Sequence, residues 1–166
     1  MSAASGQDPS GPESGPRNES APDDWQEDPA AQLSELPESE CIRLLTTVSV
    51  GRIALTQRAL PVVLPVNFAL DGHAVVVRTG PGSLLARPQD GSVVAFEADQ
   101  LDADACSGWT VMVVGTLDWV SGASSVLRAE QLRIRSWVGS GHGHFARIAP
   151  GLISGLRLGN PLAPGH

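Results

Sequence analysis

The run Arg78-Thr79-Gly80-Pro81-Gly82-Ser83-Leu84-Leu85 brings together the residue types that bind anions. A strand pattern ends on Arg78 and Thr79, the backbone passes through two glycines, and an apolar pair opens what reads as a short helix. Backbone N–H groups in such a turn can point at an anion, Arg78 adds a fork of donors, and Thr79 and Ser83 add hydroxyls. That is the chemistry of a phosphate cradle. The same residues also suit an ordinary loop whose Gly and Pro serve turn geometry, and spacing alone does not separate the two. It is not a Walker A loop, because no Gly-Lys-Ser/Thr follows.

Other groups carry less. His142-Gly143-His144 could offer two imidazoles, but no third ligand accompanies them, so no metal site is assigned. Gly141 to Ala146 matches GxGxxA without the βαβ unit that a dinucleotide fingerprint requires. Arg128, Arg133 and Arg135 form a basic cluster without interleaved aromatics, a poor footprint for nucleic acid. Glu97 and Asp99 share a strand face, where carboxylates commonly pair with Arg. Cys41 and Cys106 make no CxxC, and no GxSxG nucleophile motif occurs.

These residues have to be positioned by one domain of a 166-residue chain with formal net charge −7. Residues 1–40 hold ten acids and one Arg, whereas the remainder holds eight acids and ten Arg, so the acidity sits in the tail. The chain has neither Lys nor Tyr, and every fixed cation is Arg. Residues 1–33 lack a core-forming pattern and read as a disordered acidic tail, 34–158 as the folded domain and 159–166 as a flexible C-terminus. No run of 18 apolar residues and no secretory leader pattern appears, which points to a cytoplasmic protein without membrane partners.

Within the domain, Cys41, Leu44 and Leu45 follow a helical spacing after Pro37. The period then changes to that of strands over Val50–Thr56, Leu60–Leu70, His73–Thr79, Val93–Ala98 and Gly108–Val120, with Asp71-Gly72 as a hairpin turn. Ser121–Ile134 reads as a helix, and Ala146–Ile148 with Leu152–Leu158 as one or two closing strands. Gly108–Val120 is apolar on both faces, as when a barrel wall covers a core inside and meets a subunit or helix outside. The fold class is therefore mainly β: a six- or seven-stranded antiparallel barrel with two or three short flanking helices.

Seven pieces in order then resemble a known family: Glu40-Cys41-Ile42-Arg43-Leu44-Leu45, Val50-Gly51-Arg52-Ile53-Ala54, Leu64-Pro65-Val66-Asn67-Phe68, Arg78-Thr79 with Gly82-Ser83-Leu84, Val94 to Asp99, Ser107 to Val111, and Ile153-Ser154-Gly155-Leu156-Arg157. This pattern is similar to the pyridoxamine 5′-phosphate oxidase-like proteins with the FMN-binding split-barrel fold. The resemblance implies a homodimer with FMN at the subunit interface. It implies the phosphate among residues like Arg78, Thr79 and Ser83, the isoalloxazine against backbone like that of Val66 and Asn67, and the Trp109 region lining the site from the partner. One departure is Leu84, which stands where the family usually has a Lys on the phosphate; such a charge-assisted contact contributes about 1.5–3 kcal/mol. A second is the end of the chain, where Gly155 to Pro161 does not match the Arg- and His-bearing segment of the true pyridoxamine phosphate oxidases. The resemblance thus implies an FMN-dependent oxidoreductase acting on a small molecule other than that substrate. The alternative is a non-catalytic protein using the same barrel to hold FMN, the deazaflavin F420, haem or another ligand.

Overall fold

The computed structural model describes residues 32–80, 91–135 and 143–159. In these residues the order is β1 (Gln32–Glu35), α1 (Glu38–Leu45), β2 (Val50–Gln57), β3 (Leu60–Asp71), β4 (Ala74–Thr79), β5 (Ser92–Asp102), β6 (Ser107–Trp119), α2 (Ala123–Gln131) and β7 (His144–Gly159). The sheet runs β1-β7-β4-β3-β2-β5-β6, every pairing is antiparallel, and β6 returns to β7. Strands β2 to β7 therefore close a barrel, with β1 laid along the end of β7. This is the mainly β antiparallel barrel expected from the strand periods, and the split barrel that the resemblance implies.

Alternation dictates what goes inside. Ile53 and Leu55 of β2, Val75 and Val77 of β4, Phe96 and Ala98 of β5, and Val111, Val113 and Leu117 of β6 all enter one core. Phe68 meets Phe96 there at 4.7 Å between ring centroids, edge to face. The opposite face of β4 is also covered, because Val76 packs with Phe145, Ala129 and Ile134 beneath α2. Helix α1 buries Cys41, Leu44 and Leu45 on the barrel and carries Glu38 and Glu40 in its first turn, where the helix dipole favours acids. It comes close to β7 because residue 155 is glycine: a Cβ there would lie 2.7 Å from Cys41 Sγ.

The outward face of the barrel has its own order. Register places Val63, Ala54, Ala95, Val114 and Leu152 in one row across five strands. At its two ends Val63 is 60% and Leu152 57% exposed. An apolar row this long, open to water, is the outward-facing apolar surface that the two-faced pattern of β6 anticipated.

Several boundaries differ from the sequence expectation. Gln32 and Leu33, assigned to the tail, belong to β1; this four-residue edge strand is polar and is defined by backbone pairing to β7, so periodicity does not reveal it. The two closing segments are one continuous strand, β7, extending to Gly159, which was assigned to the C-terminus. The α2 helix covers only Ala123–Gln131 of the expected Ser121–Ile134. The first 31 residues lie outside the described residues.

Glu40 ties α1 to the barrel, accepting from Arg43 Nε at 2.7 Å and from Arg157 at 2.9 Å. The Arg43 hydrogen bond holds its carboxyl below the usual 4.5, and the charges of Arg43 and Arg157 add to this against a smaller opposing effect of burial. A carboxylate lowered in the folded state stabilises the fold above pH 4.5, and that contribution disappears as pH falls through the lowered value. Glu40→Gln should therefore lower the melting temperature near neutral pH, with the gap from the parent closing in acid; a gap independent of pH in thermal scans would contradict this.

Candidate functional site

The β3–β4 hairpin turns at Gly72-His73, with Gly72 at φ 64°, a conformation glycine adopts without steric cost. That turn fixes Asn67 directly opposite Arg78, so an amide and a guanidinium stand side by side on the outward face. On the other side Arg78 faces Phe145 of β7, and Asn67 faces Val50 of β2. The Arg78 guanidinium donates from Nη1 to Ile134 O at 3.1 Å and lies 5.7 Å from the Phe145 ring centroid. With five N–H donors it can rest on Ile134 and grip an anion with the same fork. Gly143 borders it closely: a Cβ there would lie 2.8 Å from Arg78 Nε and 3.0 Å from Thr79 O.

The other expected site residues divide. Val66 turns its side chain into the core, so only its backbone borders the outward face. Thr79 is buried, and its hydroxyl donates to His144 O at 3.3 Å, tying β4 to β7 rather than facing the surface that carries Arg78. Trp109 does not join the group within one chain. It is 5% exposed in the core, opposite Gln100 and Arg157, ten positions along β6 from Trp119, or roughly 30 Å of strand. Ser83 and Leu84 lie outside the described residues. Phe145, Ile134 and Gly143 were not anticipated. The His142-Gly143-His144 group, to which the sequence assigned no metal site, contains Gly143, and Phe145 follows it directly.

Across β2 the outward face becomes acidic. Arg52 Nη1 donates to Glu97 at 3.1 Å and to Asp99 at 2.9 Å, and Thr110 donates to Glu97 Oε1 at 2.9 Å. Beside them Glu97, Thr110, Met112, Ser154 and Leu156 border a cavity of about 510 Å³. Glu97 and Asp99 thus serve one arginine, as strand-end carboxylates commonly do.

Residues 37–157 of this barrel match the pyridoxamine 5′-phosphate oxidase family. The chain belongs to the pyridoxamine 5′-phosphate oxidase family. An uncharacterized Mycobacterium tuberculosis protein is 35% identical over 134 residues, 78% of this chain and 88% of that protein. The FAD-binding protein of Mycobacterium smegmatis superposes with a TM-score of 0.67 at 31% identity, over 75% of this chain and 97% of that one. A conserved Corynebacterium diphtheriae protein of unknown function gives 0.65 at 28% identity, over 75% and 97%. These similarities agree with the fold and cover the barrel.

The residues fit a phosphorylated flavin of the kind this family holds. Arg78 supplies a positioned fork, Asn67 a donor and an acceptor, and Gly143 the space beside them. Gly143→Ala should crowd that space, push the guanidinium off Ile134 and destabilise the fold by roughly 1–3 kcal/mol. An unchanged urea midpoint would show that the arginine has room to spare.

Proposed function

We propose that this family member binds a flavin on its outward face between two copies of the chain and uses it as an oxidoreductase on a small molecule. The observation that carries this reading is the Asn67–Arg78 pair, held from behind by Phe145 and Ile134. The M. smegmatis relative binds FAD, and the sequence resemblance implies FMN; both carry a phosphate of the kind an Arg fork recognises. A bound flavin supplies hydride and electron transfer, so the chain needs to hold and orient it rather than present an acid, base or nucleophile. Arg78 holds the phosphate, and Asn67 with the neighbouring strand backbone of Val66 borders the ring system. The Trp109 region of the second copy completes the site.

The apolar row from Val63 to Leu152 supports assembly with a second copy, since a surface of that kind is covered in a symmetric dimer. Two free thiols, Cys41 buried and Cys106 exposed, accord with the reducing cytoplasm. No helix among the described residues is long and apolar enough to cross a membrane.

Two results test the reading. Arg78→Ala should weaken FMN and FAD by tenfold or more in fluorescence titrations and leave riboflavin, which lacks the phosphate, nearly unchanged; equal loss for all three would place the phosphate elsewhere. Leu152→Asp should convert a dimer to a monomer by light scattering and abolish flavin retention together with it, whereas a monomeric parent carrying flavin would remove the interface from the proposal. Turnover of the loaded protein with a reduced nicotinamide donor separates an oxidoreductase from a flavin carrier.

A further inference from the structure

A second cavity, of about 500 Å³, lies on another side of the barrel, between α2 and strands β4, β6 and β7. Its apolar lining is Val76, Trp119, Val120, Ala129 and Leu132. At its edge Arg128 is bound to Asp71 at 2.6 Å, so those two charges satisfy each other. Two further charges line it, Arg147 of β7 and Asp118 of β6, which are direct cross-strand neighbours. Opposite charges placed so usually pair. Here they do not: among the described residues Arg147 makes no ion pair, and Asp118 accepts only the Gly91 N–H on Oδ1, at 2.9 Å. The cavity therefore offers a guanidinium fork, a carboxylate with accepting capacity left, and an apolar wall.

We propose that this cavity binds a small apolar zwitterion, an α-amino acid with a hydrocarbon side chain. Its carboxylate sits on Arg147, its ammonium on Asp118, and its side chain covers Val76, Ala129 and Leu132. A simple anion on Arg147 would be repelled by Asp118 and a simple cation on Asp118 by Arg147, whereas a ligand carrying both charges meets a complementary partner at each end. The cavity is separate from the Asn67–Arg78 site, so the inference does not depend on flavin binding.

Calorimetric titration of the purified full chain with L-leucine tests it. Saturable binding of one leucine per chain is expected. The 4-methylpentanoate lacking the ammonium and the isoamylamine lacking the carboxylate should each bind at least about tenfold more weakly. Arg147→Gln should cost leucine about tenfold without weakening isoamylamine, and Asp118→Asn, which keeps an acceptor for Gly91, should cost leucine about tenfold without weakening 4-methylpentanoate. The three-ligand comparison on the parent decides the matter even if a variant fails to fold. No leucine binding up to about 10 mM, or 4-methylpentanoate or isoamylamine binding as tightly as leucine, would overturn the proposal.

Discussion

Closure by β7 is the constraint on which the rest of the molecule depends. One strand of 16 residues pairs with β4 through its first five, His144 to Ile148, with β6 along most of its length and with β1 at its end. A straight strand of that length would span roughly 50 Å and could not serve all three neighbours around a small barrel. It bends at a bulge, where Val114 faces Leu152 but Gly115 faces Pro150, leaving Gly151 as the extra residue. Gly115 is the position where a side chain would collide with the Ala149 carbonyl, so the bend needs glycine in the partner strand as well. The same register that closes the barrel sets Phe145 beside Arg78 and Gly155 beneath Cys41. Barrel closure, helix docking and the arginine site are thus one decision about pairing.

This also explains what could be read from the sequence. Strands β2 to β6 and helix α1 show clear periods because each has one face committed to a core, and their centres fall where alternation puts them. Strand β7 read as two pieces because Pro150-Gly151 lacks one backbone donor and one side chain, which in most strands marks an end. Here those residues form the bulge. Arg78 and Asn67 were legible as residue types, and their adjacency follows from a two-residue hairpin turn, but a slip of one residue would have put them on opposite faces. Phe145, 67 positions beyond Arg78 in the chain, could be placed there only by the closing strand. Trp109 illustrates the reverse case, since its place in the motif order is clear while the structure sends its side chain into the core.

The charges of the folded body divide by what they are bound to. Arg43 and Arg157 on Glu40, Arg52 on Glu97 and Asp99, and Arg128 on Asp71 are surface pairs of arginine with carboxylate, which water and salt screen strongly. They steer register and orientation more than they stabilise, and each spends its positive charge on a neighbouring acid. An incoming phosphate would compete with a carboxylate already in contact.

Two contacts position Arg78: one hydrogen bond goes to the Ile134 carbonyl, and the guanidinium lies over the face of Phe145. Both fix the direction of the guanidinium without adding a negative charge next to it. Fixing the side chain in advance removes part of the entropy that ordering an arginine on a ligand would otherwise cost. Half-burial against Phe145 and close packing by Gly143 also lower the local dielectric, which strengthens the attraction of the guanidinium for an anion. The features that make Arg78 unremarkable as a stabilising residue are therefore those that suit it to hold a phosphate. On the proposed flavin reading, with Leu84 where the resemblance implies a lysine, this preorganisation would carry a larger share of the phosphate binding.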